Sequence, residues 1–156
     1  MPTVTPVTDA LKQMGIPFEI HIHENPLRSL EQAARERNLE PRQIVRSLVI
    51  RTESDQFVMV LMPGPRNVDW PKLRRFLGGS RVTTAKAHEV EEVTGYPTGA
   101  VSPFGLAIPI RLLADLCICD LEVISLGAGI RNAGIILKTS YLLEHLEPEL
   151  GDFSAG

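Results

Sequence analysis

The chain of 156 residues has few of the features that mark secreted and membrane proteins. Its two cysteines, Cys117 and Cys119, are separated by one residue, so a disulfide framework is not expected and the metal signal is weak. No apolar run approaches the roughly 20 residues of a membrane span, and the first residues lack the basic-then-apolar pattern of a signal peptide. We therefore expect a soluble, cytoplasmic protein with no membrane partner, in which both cysteines are buried apolar side chains.

The chain has no excess of positive charge. Its 19 acidic and 16 basic side chains give a formal net charge of −3 at pH 7. This balance argues against a protein that coats nucleic acid through a global positive field, and DNA is not an expected partner. A local basic patch could still meet a few phosphates if its side chains share a face, although a solvated surface is the commoner alternative. The candidate side chains are Lys72, Arg74, Arg75, Arg81 and Lys86.

The common catalytic motifs are missing as well. There is no Walker loop, Gly-x-Ser-x-Gly elbow or zinc motif, and Gly127-Ala128-Gly129 lacks the third glycine of a dinucleotide fingerprint. His21 and His23 share the polar face of a predicted strand, but no third metal ligand follows at a recognisable spacing. We therefore expect neither a cofactor nor a metal.

What the chain does have is enough apolar sequence, 44% of its residues, for one ordinary globular domain over 1–156. We expect its core within about 6–147 and a frayed tail at 149–156. Caps and apolar periodicity predict helices over about 6–14, after Ser29, after Asp69, after Thr83 or Thr84, and from Thr139 or Ser140. Predicted strands cover about 18–22, 44–50, 57–62, 104–108, 116–119, 122–126 and 135–137.

The most unusual stretch is the loop at 94–105. Glycine or proline occupies positions 95, 97, 99, 103 and 105, which forbids a regular helix. The small side chains of Ala100 and Ser102 leave backbone N–H groups uncovered. Such a loop either approaches a ligand closely or simply connects a helix to a strand. A second loop of similar character, Ser125 to Gly129, could bring further N–H groups nearby.

Arg46 is the one charged residue in the apolar strand predicted at 44–50. Strand alternation places it on the face of Ile44 and Leu48, where a charge is costly unless it is paired or reaches water. Two interpretations stay open. The side chain either extends to solvent from the end of a strand, or it points into a pocket.

Three segments in this order resemble the YbaK-type aminoacyl-tRNA deacylases, a family that includes the editing domain of many bacterial prolyl-tRNA synthetases. They are 43–49, the Gly99-x-x-x-Pro103 loop with Phe104-Gly105, and Ser125-x-Gly127 with Gly134-Ile135. The resemblance implies an α/β (α+β) fold, with a mixed, strongly curved sheet or partial barrel flanked by helices. It also implies water-dependent, substrate-assisted hydrolysis of mischarged tRNA, contacted at its acceptor end.

The chain departs from this family at Arg46, where members usually carry a lysine that is associated with activity. Arginine cannot act as a general base, but it can orient a substrate or stabilise negative charge. We predict catalytic roles for Arg46 and Gly99 and a substrate carrying a small amino acid, with a non-catalytic binding module as the alternative. The predicted substrate-binding residues are Ala100, Val101, Ser102, Pro103, Ser125 and Gly127.

Overall fold

A computed structural model describes residues 3–53, 55–79 and 81–155. The helices in these ranges are α1 (Pro6–Gln13), α2 (Leu30–Glu36), α3 (Trp70–Phe76), α4 (Ala87–Thr94) and α5 (Thr139–Leu146). The strands are β1 (Glu19–Ile22), β2 (Val45–Thr52), β3 (Phe57–Pro63), β4 (Val82–Thr84), β5 (Arg111–Asp115), β6 (Val123–Gly127), β7 (Ala133–Lys138) and β8 (Glu149–Gly151). Within the same ranges, every helix is too short or too polar to cross a membrane.

The strands form two sheets. One is antiparallel, in the order β1-β7-β6, and the other is mixed, in the order β4-β2-β3-β5-β8. In the mixed sheet β2 pairs antiparallel with β3 and β4, whereas β5 runs parallel to β3 and to β8. A single bridge between Ile44 and Ser125 links the two sheets. The predicted mixed α+β class is confirmed, with the strands divided between two sheets and no closed barrel in the described part of the chain.

Local sequence signals explain the elements around the site. The side chains of Thr5, Ser29 and Asp69 cap α1, α2 and α3 by accepting the N–H group of the third helical residue. Strand β2 is apolar on both faces because it lies between two cores. Val45 and Val49 pack into one core cluster, and Ile50 packs into the other beside β3 and Phe153.

Two predicted strands are wrong. Residues 104–108 form bends, because side chains satisfy the Phe104 backbone: its N–H donates to Ser102 Oγ (3.1 Å) and its carbonyl accepts from the Tyr96 hydroxyl (2.6 Å). Residues 116–119 lie in a 3-10 helix, Leu116–Asp120, which Asp115 caps at the Cys117 N–H (2.9 Å). The expectation that both cysteines are buried is also wrong, because Cys117 is partly buried and Cys119 is exposed in this turn.

The frayed tail expected at 149–156 is wrong as well, although residue 156 lies outside the described part of the chain. Glu149–Gly151 forms β8 and extends the mixed sheet beside β5. Phe153 is fully buried, and its N–H donates to the Asp115 carboxylate over 2.9 Å. One aromatic anchor and one buried carboxylate therefore hold a segment whose own sequence is too short and polar to predict a strand.

Candidate active site

A cavity of about 510 Å³ lies between α2, β2, the Gly99 loop and the β6–β7 pair. Its size is within the range of about 300–1,000 Å³ that is usual for small-molecule sites. The side chains and backbone that form its walls include Leu30, Ala33, Arg37, Val45, Arg46, Ser47, Gly99, Val101, Leu126, Gly127 and Ala133.

The cavity brings together four of the eight site residues predicted from sequence. Arg46, Gly99, Val101 and Gly127 line it. The other four are buried and do not belong to its lining, so they support the wall rather than form it. These four are Ala100, Ser102, Pro103 and Ser125.

The Gly99 loop turns sharply into the cavity wall. Gly99 has a φ of 86°, in the left-handed region that favours glycine, and the Ala100 N–H closes the turn onto the Pro97 carbonyl at 3.0 Å. Within the described residues, the N–H groups of Gly99 and Val101 have no hydrogen-bond acceptor. Two backbone donors are therefore free in residues that line the cavity.

Gly127 lets the second loop approach the Gly99 loop. A Cβ at Gly127 would overlap the Val101 carbonyl oxygen. Two residues on, the Gly129 N–H donates to the Ala100 carbonyl at 3.0 Å. The second loop thus fastens the Gly99 loop in place, and the Gly129 N–H is already used in doing so.

Arg46 reaches the cavity from the other face of β2. It shares that face with Leu48 and Ile50, whereas Val101 packs with Val45 and Val49 on the opposite one. Its Nη2 donates to the Arg66 carbonyl, while its buried Nε has no acceptor among the described residues. Burial lowers the pKa of Arg46. A catalytic role for Arg46 stays a prediction.

Ser47 is a wall residue that the sequence analysis missed. The bonds from the Thr52 N–H to Gln56 and from the Gly64 N–H to Ile44, both 2.7 Å, show that even-numbered residues of β2 pair with β3. The peptide groups of odd-numbered residues therefore point to the other edge, where Val49 and Arg51 pair with Ala85 and β4, and where Ser47 lines the cavity. The Ser47 Oγ is buried with no partner among the described residues. The sequence signal for Ser47 was the presence of a hydroxyl residue inside an apolar strand.

Arg37, also missed, anchors a network of side chains beside the cavity. Its Nε donates to His23 Nε2 (3.1 Å) and its Nη1 to Ser125 Oγ (2.9 Å). Because arginine only donates, His23 Nε2 must accept, so the proton of a neutral His23 is on Nδ1, which faces Glu36 Oε1 at 2.8 Å. The Ser125 hydroxyl in turn donates to the Ile135 carbonyl at 2.7 Å.

A sequence signal for Arg37 existed. Leu30, Ala33, Ala34 and Arg37 follow the i, i+3, i+4, i+7 spacing of a buried helix face, so Arg37 is a charge on an apolar stripe. Burial lowers its pKa to about 10, with Glu36 opposing the shift. The guanidinium is therefore still charged at neutral pH.

His21, His23 and Glu36 place potential ligand atoms within 4.8 Å of one another, which the sequence spacing did not reveal. His23 is buried rather than on a polar face as expected. The arrangement does not suit a cation. A metal on His23 Nδ1 would move the ring proton to Nε2, where Arg37 Nε–H already donates, and the Arg37 charge lies next to it.

The model of the aminoacyl-tRNA editing domain family matches residues 24–144. The chain therefore belongs to this family, and the resemblance to YbaK-type proteins is confirmed.

Among its relatives, the Multifunctional Ser/Thr-tRNA deacylase ProXp-y of Escherichia coli K12 is 29% identical over 147 residues, or 92% of this chain and 87% of that protein. The proline–tRNA ligase of Thermosipho africanus is 40% identical over 89 residues, which are 57% of this chain and 16% of the ligase. A solved structure, described as that of a proposed trans-editing enzyme for prolyl tRNA synthetase, superposes with a TM-score of 0.88 at 26% identity. It covers 97% of this chain and 96% of the other.

Proposed function

We propose that this chain is an aminoacyl-tRNA deacylase that hydrolyses the ester between a small amino acid and the acceptor end of tRNA. The observation that carries the proposal is the cavity lining, which includes Ser47 and two residues, Gly99 and Val101, whose backbone N–H groups have no acceptor in the described part of the chain. Family membership and the names of the relatives, a Ser/Thr-tRNA deacylase and prolyl-tRNA ligases, support the same reaction.

The reaction needs few groups from the protein. Water attacks the ester carbon, and negative charge develops on the former carbonyl oxygen. Fixed backbone N–H groups stabilise that charge in a site shielded from water. We assign this role to Gly99 and Val101, with the Ser47 hydroxyl orienting the attacking water or the ester. Arg46 is proposed to act from the cavity wall as a fixed positive charge, because its Nη2 is bonded to the Arg66 carbonyl and its Nε is buried without an acceptor among the described residues.

The proposed preference for a small side chain follows from the walls. The lining includes Val45, Ser47 and Gly127, and no aromatic residue belongs to the cavity lining that the structure describes. An editing site acts as a second sieve, since binding alone separates side chains that differ by one methylene by only about 1–3 kcal/mol. We expect cleavage of esters of alanine, serine or cysteine.

A panel of tRNAs charged with small, medium and aromatic amino acids tests this function. The purified chain should release small amino acids faster than the uncatalysed rate, whereas Gly99→Val should not, because a β-branched residue at a φ of 86° is strained and crowds the donors. Preferential cleavage of an aromatic ester would contradict the sieve. Binding of the acceptor end with no cleavage of any ester would favour the non-catalytic alternative.

A further inference from the structure

The guanidinium of Arg37 keeps one edge free at the cavity. Of its donors, Nε is bonded to His23 and one Nη1 hydrogen to Ser125. Its Nη2 has no acceptor among residues 3–53, 55–79 and 81–155, yet it is not among the buried unsatisfied atoms. Since Arg37 lines the cavity, this edge is open to a ligand there.

The geometry of β6 and β7 places this edge near the Gly99 loop. Gly127 and Gly134 are direct partners across the two strands. A Cβ at Gly127 would overlap the Val101 carbonyl, and a Cβ at Gly134 would overlap the Arg37 guanidinium. Directly opposed Cβ positions lie on one face about 4.5–5.5 Å apart. The guanidinium and the Gly99 loop therefore lie on the same face of the β6–β7 pair, beside neighbouring Cβ positions.

The charge of Arg37 also has no salt-bridge partner in the part of the chain that the structure describes. None of the salt bridges among the described residues includes it, and the nearby Glu36 carboxylate is bonded to His23 and Gln32 instead. A partly buried charge without a counter-ion costs folding free energy. Such a cost is expected where the charge serves a ligand.

We propose that the Nη2 edge of Arg37 binds an anionic oxygen of the substrate in this cavity. The inference rests on the proposed function. Two oxygens have the required chemistry: the ester oxygen that becomes negative as water attacks, and a phosphate oxygen of the terminal nucleotide. The bonds to His23 and Ser125 hold the guanidinium in place for either one.

The test compares Arg37→Gln with Arg35→Gln, a matched change at an exposed arginine of the same helix. We expect Arg37→Gln to lower kcat/KM for the best aminoacyl-tRNA on the order of 10²-fold, the scale of one transition-state contact, and Arg35→Gln to change it less than about twofold. A loss in kcat at constant KM identifies the ester oxygen. A rise in KM, with loss of the preference for adenosine 5′-monophosphate over adenosine, identifies the phosphate.

A second variant covers the case in which Arg37→Gln fails to fold. Arg37→Lys keeps the charge but not the planar edge, so we expect kcat/KM to fall about tenfold or more. Wild-type kcat/KM and nucleotide preference in a folded Arg37 variant would overturn the proposal. If wild-type protein cleaves no ester, the proposed function fails by itself. The Arg37 proposal then fails only if the protein also binds the monophosphate no better than adenosine.

Discussion

The cavity has two walls that each carry an arginine, and the two are supported differently. On the α2 wall, Arg37 is held by His23, the residue after β1, and by Ser125 from β6. On the β2 wall, Arg46 is held by one loop carbonyl, that of Arg66, and its buried Nε is unpaired in the described structure. A donor fixed by two other elements needs less reorganisation to meet a substrate. The comparison indicates that the α2 wall is the preorganised one.

The largest effect is expected at the Gly127–Gly134 pair of β6 and β7, which faces the Gly99 loop on one side and Arg37 of the α2 wall on the other. Gly127→Ala would place a Cβ against the Val101 carbonyl, which is backbone and cannot move aside. We expect kcat/KM to fall on the order of 10³-fold and the free energy of unfolding to fall by about 1–3 kcal/mol. Deacylation kinetics and denaturant unfolding measure the two effects.

Gly134→Ala serves as the matched control, because its Cβ would meet the end of the flexible Arg37 side chain instead. We expect a smaller loss of stability and a loss of activity close to that of Arg37→Gln. If Gly127→Ala were the milder of the two, the Gly99 loop would not depend on this contact.

The features of the molecule that the sequence predicts depend on residues close together in the chain. Those that it does not predict depend on residues far apart in the chain. The helix caps at Ser29 and Asp69, and the strands that form β2 and β3, depend on neighbours in sequence and were predicted. The two glycine-rich loops, at 94–105 and 125–129, were also recognised from local sequence, and residues of both line the cavity.

The Arg37 network joins residues 14 and 88 positions apart, so its partners depend on how the two sheets meet. A charge on the α2 stripe was visible in the sequence, but Ser125 and His23 as its partners were not. The prediction of a frayed tail was wrong for the same reason. Phe153 is buried by residues of β3, α3 and β5, which are far away in sequence.

The second prediction tests the β2 wall. If Arg46 acts as a fixed donor, Arg46→Lys should keep appreciable deacylation, whereas Arg46→Ala should lose on the order of 10² to 10³ in rate. Both variants lose the geometry of the bond to the Arg66 carbonyl, so their stabilities should fall together. If wild type and both variants were equally active, and the variants less stable, the role of Arg46 would be only to hold the 63–68 segment in place.

The third prediction separates two serines. Ser47→Ala removes a buried hydroxyl that has no partner in the described ranges, so stability should stay constant or rise slightly while kcat/KM falls roughly tenfold. Ser102→Ala is the control, because the Ser102 Oγ accepts the Phe104 N–H at 3.1 Å and its loss should lower the melting temperature. Thermal unfolding and steady-state kinetics on both variants decide between these roles. A lowered melting temperature for Ser47→Ala would mean that the hydroxyl has a structural partner.

The smallest effect concerns the outer end of the α2 wall, where hydrogen bonds from His23 and then Gln32 lower the pKa of Glu36. A carboxyl whose pKa is lower in the folded than in the unfolded state stabilises the protein above its unfolded pKa, and this contribution is lost as the pH falls through the folded pKa. Glu36→Gln should therefore be less stable than wild type near pH 7, and the two should converge at acidic pH. Glu24→Gln, an exposed change outside any helix, should match wild type throughout. Urea unfolding between pH 7 and pH 3 measures the difference.

If the difference in stability between wild type and Glu36→Gln were independent of pH, Glu36 would act through packing alone. His23 would then be oriented by Arg37 and not by the carboxylate.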